Sequence, residues 1–138
     1  MQLIKEEYFS RLIELLPVIL YTCDTKGIIT SYNREAESFW GKTPVTGEDK
    51  YNFSYEVYDT EGKLLDIENT PMGLTLKHGK PYSGDILIKN SHDQELYIKS
   101  TPKPLFNTSG TFVGVLSCCF DVTEYYTRLN KQKKKNIL

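Results

Sequence analysis

Between Tyr21 and Ala36 the chain passes from a β-rich run, through Asp24-Thr-Lys-Gly27, into a second β-rich run and then directly into Asn33-Arg-Glu-Ala36. Asp at the start of such a turn bonds its own backbone, and Gly three residues later takes positive φ without strain. Asn33 stands where a side-chain oxygen caps the first turn of a helix. With no linker to spare, the two strands must pair antiparallel and the helix must fold back over them. Any fold assigned to this chain has to begin with that unit.

The 138 residues fit one domain with a single core. Seventeen Lys and Arg against eighteen Asp and Glu leave a net charge of −1, so no global field draws the chain to nucleic acid or an anionic membrane. No apolar run is long enough to span a bilayer, and Met1-Gln-Leu-Ile-Lys-Glu-Glu has neither the basic nor the apolar region of a signal peptide. A cytoplasmic location without membrane insertion is the expectation. Three cysteines suit a reducing compartment, and Cys23, Cys118 and Cys119 lack the spacing of a zinc site.

Leu3, Ile4, Phe9, Leu12, Ile13, Leu15 and Leu16 recur mainly at three- and four-residue spacing, predicting an amphipathic helix ended by Pro17. Strands are predicted over 18–23, 28–32, 82–89, 96–104 and 112–120. Pro44, Gly47, Asp49 and Asn52 make 43–53 irregular. Residues 55–58 alternate and lead through Asp59-Thr-Glu-Gly62 toward Leu65, a small second hairpin. Thr70-Pro71 is a cap followed by proline at the first helical position, and Gly79 is the stop. Asp121 with Glu124 reads as an Asp form of the capping box, launching a last helix that ends in the basic run 131–135. This order does not alternate as βαβ units, so the expected class is α+β with a five-stranded antiparallel sheet. The parts are an N-terminal helix over 1–17, a core over 18–121 and a C-terminal helix with basic tail over 122–138.

The hairpin with Asn33 and Ala36, followed far along the chain by a strand ending in Asp121-Val-Thr-Glu124, resembles the PAS domain family. The stretch Tyr58-Asp-Thr-Glu-Gly62 leading to Thr70-Pro71-Met72 and Leu76-Lys-His-Gly79 is similar to PAS sensors of bacterial histidine kinases in two-component systems. The resemblance spans roughly residues 17–124. It implies short helices over one sheet face, with the 70–77 helix walling a ligand pocket against the strands. Strand alternation sets Ile86 and Ile88 on one face and Leu96, Ile98 and Ser100 on one face, the apolar set toward the helices; on the last strand the resemblance implies that Val113, Val115, Ser117 and Cys119 point inward. The pocket residues implied are Phe39, Met72, Leu76, Ile86, Ile88, Ile98, Ser117 and Cys119, and the relay residues Asp121, Thr123 and Glu124. Flavin-binding relatives need a cysteine in the region matching 39–45, and none is present. Haem-binding relatives place a histidine on the 70–77 helix; His78 lies just past it, where it suits the helix C-terminus better than iron. No cofactor is therefore expected, and any ligand is an unidentified small molecule.

An enzyme is not expected: there is no Gly-x-Ser-x-Gly elbow, His-Glu-x-x-His helix or phosphate loop, and Glu6-Glu7 and Glu35/Glu37 read as solvated helix charges. Phe112, Leu116, Cys118 and Phe120 make the second sheet face apolar too, so it needs a cover. The N-terminal helix is that cover, in cis or exchanged within a homodimer. The functional expectation is a sensory, signal-transducing module that binds a small ligand and relays its state through the C-terminal helix to a dimer mate or signalling partner. The alternative is a ligand-free interaction and dimerisation module.

Overall fold

The computed structural model describes residues 2–137, with side chains at 7, 8 and 11–136. Helix α1 (Gln2–Leu15) leads into strands β1 (Ile19–Cys23) and β2 (Ile29–Tyr32), then helix α2 (Arg34–Trp40). After an irregular stretch come β3 (Glu56–Tyr58), a 3-10 turn (Ile67–Asn69) and helix α3 (Pro71–His78). Strands β4 (Gly84–Lys89), β5 (Glu95–Phe106) and β6 (Phe112–Asp121) follow, and helix α4 (Thr123–Ile137) ends the chain.

Local chemistry sets most of these boundaries. Asp24 Oδ1 accepts from the N–H groups of Lys26 and Ile28 at 2.9 and 3.0 Å, while Gly27 takes φ 83°. A Cβ on Gly27 would press the Tyr51 ring at 3.1 Å, so the turn also depends on glycine for close packing. Asn33 caps α2 through Ala36 N–H, and Thr70 caps α3 through Gly73 N–H, with Gly41 and Gly79 closing the two helices at positive φ.

All strand pairs are antiparallel, in the order β2-β1-β6-β5-β4-β3. The sheet has six strands where the sequence suggested five. The alternating 55–58 segment does turn at Asp59 and meets Leu64 at one bridge, but its main partner is the free edge of β4, with Val57 opposite Ile88. A register shift between Leu105 and Phe106 sets Phe106 opposite Phe112 and Leu105 opposite Gly114, so Val113 falls outside the ladder. Val113 is consequently exposed, contrary to its expected inward position, and Phe112 packs on the core instead.

The core lies on one face of the sheet. It joins Ile19, Tyr21, Ile29, Phe39, Trp40, Met72, Ile86, Ile88, Ile98, Val115 and Cys119. Trp40 is its centre: fully buried, with ring centroids of Tyr21, Tyr32 and Phe53 within 5.0–5.7 Å and Nε1 donating to Tyr51 O at 2.8 Å.

Candidate functional site

Helix α3 crosses the inner face against β5 and β6. Its buried face presents Met72 and Thr75, one helical turn apart, toward the strands. From the sheet side come Ile86 and Ile88 of β4, Ile98 and Ser100 of β5, and Ser117 and Cys119 of β6. Phe39 enters from α2, and Leu76 packs against the edge of the same cluster. All eight residues assigned to a pocket from the sequence thus sit on the inner side, largely in contact with the core. Two clefts reach its margins: one of about 180 Å³ touches Phe39 and Cys119, and another of about 540 Å³ touches Leu76.

Ser100, Ser117 and Cys119, set on this face from the sequence, are joined there by polar groups that sequence reasoning missed: Tyr21, Cys23, Tyr55 and Thr75. Tyr21, Ser100, Ser117, Cys23 and Cys119 are buried there, with Ser117 Oγ 3.4 Å from Cys119 Sγ. Tyr55 is half-buried as a residue, but its hydroxyl end lies inside, hydrogen-bonded with Tyr21. Burial pushes the phenols of Tyr21 and Tyr55 well above their ordinary range; Tyr55 raises Tyr21 further and Tyr51 raises Tyr55, while hydrogen bonds from Ser117 to Tyr21 and from Tyr21 to Tyr55 offset part of the rise. Burial likewise pushes Tyr51 and Cys23 up to about 12 and Cys119 up to about 11. Every one of these groups is neutral near pH 7, so the two buried thiols are poor nucleophiles.

Among the described residues, one buried side-chain polar atom lacks any hydrogen-bond partner: Thr75 Oγ1, on a residue with no exposure at all. A hydroxyl in that condition costs desolvation that nothing in the chain returns.

At the far end of β6, the expected capping box is replaced by another arrangement. Asp121 Oδ1 accepts from Thr123 N–H at 2.9 Å, but Glu124 turns along the helix to pair with Arg128 at 2.6 Å and does not reach back. The stronger tie is to β5, where Tyr97 donates its N–H to Thr123 Oγ1 at 3.0 Å and accepts from Val122 N–H at 2.8 Å. Tyr126 then stacks on Tyr97 at 4.5 Å and donates to Asp85 at 2.6 Å, a contact that raises its own phenol to about 12. His78 ends α3 in an exposed position, away from the buried polar set, beside Tyr82.

On the outer face, the end of α1 lies over β1 and β2. Asn33 Nδ2 donates to Ile13 O at 3.3 Å and Val18 O at 2.7 Å, while its Oδ1 accepts from Leu20 N–H, so one buried side chain joins two helices and a strand. Leu12, Leu16, Leu20, Tyr32 and Leu116 border an apolar cleft of about 550 Å³ there. Ile4 and Phe9, assigned with Leu12 and Ile13 to the docking face of this helix, lie outside the described side chains. No helix among the described residues is long and apolar enough to cross a membrane.

No family model and no curated protein matches the chain. Solved structures do. A PAS domain of a protein from Colwellia psychrerythraea superposes with a TM-score of 0.67 at 16% identity, covering 87% of this chain and 98% of its own. The PAS domain of nitrogen regulation protein NR(II) from Vibrio parahaemolyticus gives 0.61 at 14%, covering 81% and 95%. The light-state dimer of the fungal blue-light photoreceptor Vivid gives 0.58 at 13%, covering 75% and 77%. The chain has the PAS fold, as its sequence led one to expect.

Proposed function

We propose that this chain is a sensory signalling module that takes a small ligand between α3 and the inner sheet face and passes its state to α4. One observation carries the reading: Thr75 Oγ1 is orphaned in the interior, on a helix packed against the strands that contribute Ser100, Ser117 and Cys119. A core evolved only for packing gains nothing from a bare hydroxyl, whereas a ligand with a hydrogen-bonding group returns its desolvation cost. Relay runs through β6, whose end is tied to Tyr97 before α4 departs. The module carries no chemistry of its own in this reading, and a partner or dimer mate supplies the output.

Homodimerisation through α1 and the outer sheet face belongs to the same proposal. Leu12 and Leu16 at the apolar cleft and Phe120 on β6 are each about two-fifths exposed, and Vivid, which shares the fold, is known as a dimer in its light state. The ligand-free alternative draws on the same surface, with the well-filled interior around Trp40 as its own support.

Thr75→Val separates the two readings, because it keeps the shape and deletes the hydroxyl. Native mass spectrometry of the chain purified from its source is expected to show a noncovalent small-molecule adduct that the variant loses. If the wild type flies at the bare chain mass and the variant is simply more stable, by about 1 kcal/mol, the interior is packing and the interaction module stands.

A further inference from the structure

A second cleft opens along the flank of α3, at Gly73, Leu76 and Lys77. It holds about 540 Å³ and is bordered by the β1–β2 turn, the loop at 50–52, the 3-10 turn and α3. Three of its lining residues are lysines: Lys26 from the turn, Lys50 from the loop and Lys77 from α3. All three are exposed, and none joins an ion pair among the described residues. The cleft's own carboxylate is Glu68 on its rim. Two further acids are close in sequence but committed to backbone amides, Asp24 to Lys26 and Ile28, and Asp49 to Val45. Those two carboxylates keep their charge but do not line the cleft, whose own lining sets three lysines against one glutamate and is cationic.

The floor is different in kind. Ile67, Leu76 and the buried Tyr51 supply apolar surface beneath the lysines. Its walls are fixed by two glycines: a Cβ on Gly27 would meet Tyr51 and Leu76 at 3.1 and 3.3 Å, and one on Gly73 would run into the Ile67 carbonyl. An apolar base under a ring of ammonium groups is the complement of an anionic head on a compact apolar body.

We propose that this cleft binds a small organic anion, its charged group held by Lys26, Lys50 and Lys77 and its apolar body seated on Ile67, Leu76 and Tyr51. The site is separate from the buried interior and does not depend on that interior being occupied. Because α3 forms one wall of each, an anion here bears on the same helix that backs the inner face.

The test is an amide-resolved NMR titration of the full chain with benzoate, benzamide and inorganic phosphate in parallel. Benzoate is expected to shift amides at 26–28, 50–52 and 67–77 saturably, with benzamide and phosphate each weaker by about tenfold. The triple variant Lys26→Gln, Lys50→Gln, Lys77→Gln should weaken benzoate by a similar factor while leaving the remaining spectrum in place. Equal binding of benzoate and benzamide would remove the lysines from recognition. Phosphate binding as tightly as benzoate would mean an adventitious ion only, and shifts unchanged in the triple variant would place the anion elsewhere; each of these outcomes overturns the proposal.

Discussion

The two faces of the sheet are built from similar residues and finished very differently. On the inner face, α2 and α3 bring Phe39, Trp40 and Met72 down onto Ile86, Ile88, Ile98 and Val115, all nearly inaccessible. On the outer face, β6 offers Leu116, Cys118 and Phe120; among the described residues the ends of α1 and α4 reach across it, and Phe120 and Val113 remain more than two-fifths exposed. Alternation makes both faces apolar; among the described residues the inner one is closed, while the outer is covered in part, with Leu87 buried and Leu116 and Cys118 half-buried. The inner face is where this domain earns its stability, and the outer face is where it has surface left for something else.

Substitutions that sample each face sharpen the contrast. Trp40→Ala removes the ring that Tyr21, Tyr32, Phe39 and Phe53 surround, together with the bond to Tyr51 O, and is expected to cost about 3–5 kcal/mol in urea unfolding. Phe120→Ser on the outer face should stay within about 0.5 kcal/mol for the isolated domain. Its effect should appear in sedimentation, as a weaker self-association. If Phe120→Ser proves as costly to unfolding as a core truncation, the outer face is already closed by the chain itself, and the asymmetry is wrong.

A second difference lies in how the tyrosines are held neutral. Inside, burial raises Tyr21, Tyr51 and Tyr55 and the thiols Cys23 and Cys119; outside, Tyr126 is raised chiefly by its bond to Asp85. A folded pKa above the unfolded value means that the unfolded chain releases its proton first. The corresponding stability is fully present below the ordinary thiol and phenol values of 9.0 and 10.0 and is lost as pH climbs toward 11 and 12. Urea midpoints should therefore fall between about pH 8 and about pH 11, where ordinary tyrosines titrate. Added salt should leave the inner contribution largely intact, because desolvation is not screened as surface charge is. Asp85→Asn is expected to lower the Tyr126 pKa without moving the interior set. A midpoint flat across that alkaline range would show that the inner hydroxyls are wetter than their burial implies.

What could be read from the sequence was local. Asp24 with Gly27, Asn33, and Thr70 with Pro71 and Gly79 each act within a few residues, so their turns and caps were legible, and strand alternation then placed Ile86, Ile88 and Ile98 on one face. What escaped was long-range. Asn33 was recognised as a cap, but not as the group that also holds Ile13, Val18 and Leu20. Trp40 carried no motif, and its central place follows from the rings of Tyr21, Tyr32 and Phe53 arriving from three separate segments. The sixth strand depended on a free β4 edge, and the outward turn of Val113 on a bulge opposite β5. For the site, the inner-face residues, Ser117 and Cys119 among them, were assigned by alternation and resemblance, whereas Tyr21, Tyr55 and Thr75 joined them only through the fold.

The smallest expected effect concerns the junction of β6 and α4, where the two faces meet. Asp121 is exposed and contributes one bond, to Thr123 N–H at 2.9 Å. Thr123, half-buried, accepts the N–H of Tyr97 on the neighbouring strand at 3.0 Å. Asp121→Ala should cost about 0.5–1 kcal/mol, and that locally, because the lost acceptor serves only the first turn of the helix. Thr123→Val leaves a strand N–H without its partner and should cost somewhat more, about 1–2 kcal/mol. Hydrogen exchange distinguishes the two by place as well as size. Asp121→Ala is expected to speed exchange over residues 123–130 and leave 96–101 and 113–119 protected, while Thr123→Val speeds Tyr97 as well. Tyr126, stacked on Tyr97 and bonded to Asp85, then keeps the helix near the sheet even when its first turn is loosened. If Asp121→Ala instead lowers protection equally in the helix and both strands, α4 unfolds only with the core and has no separate equilibrium for a ligand to shift.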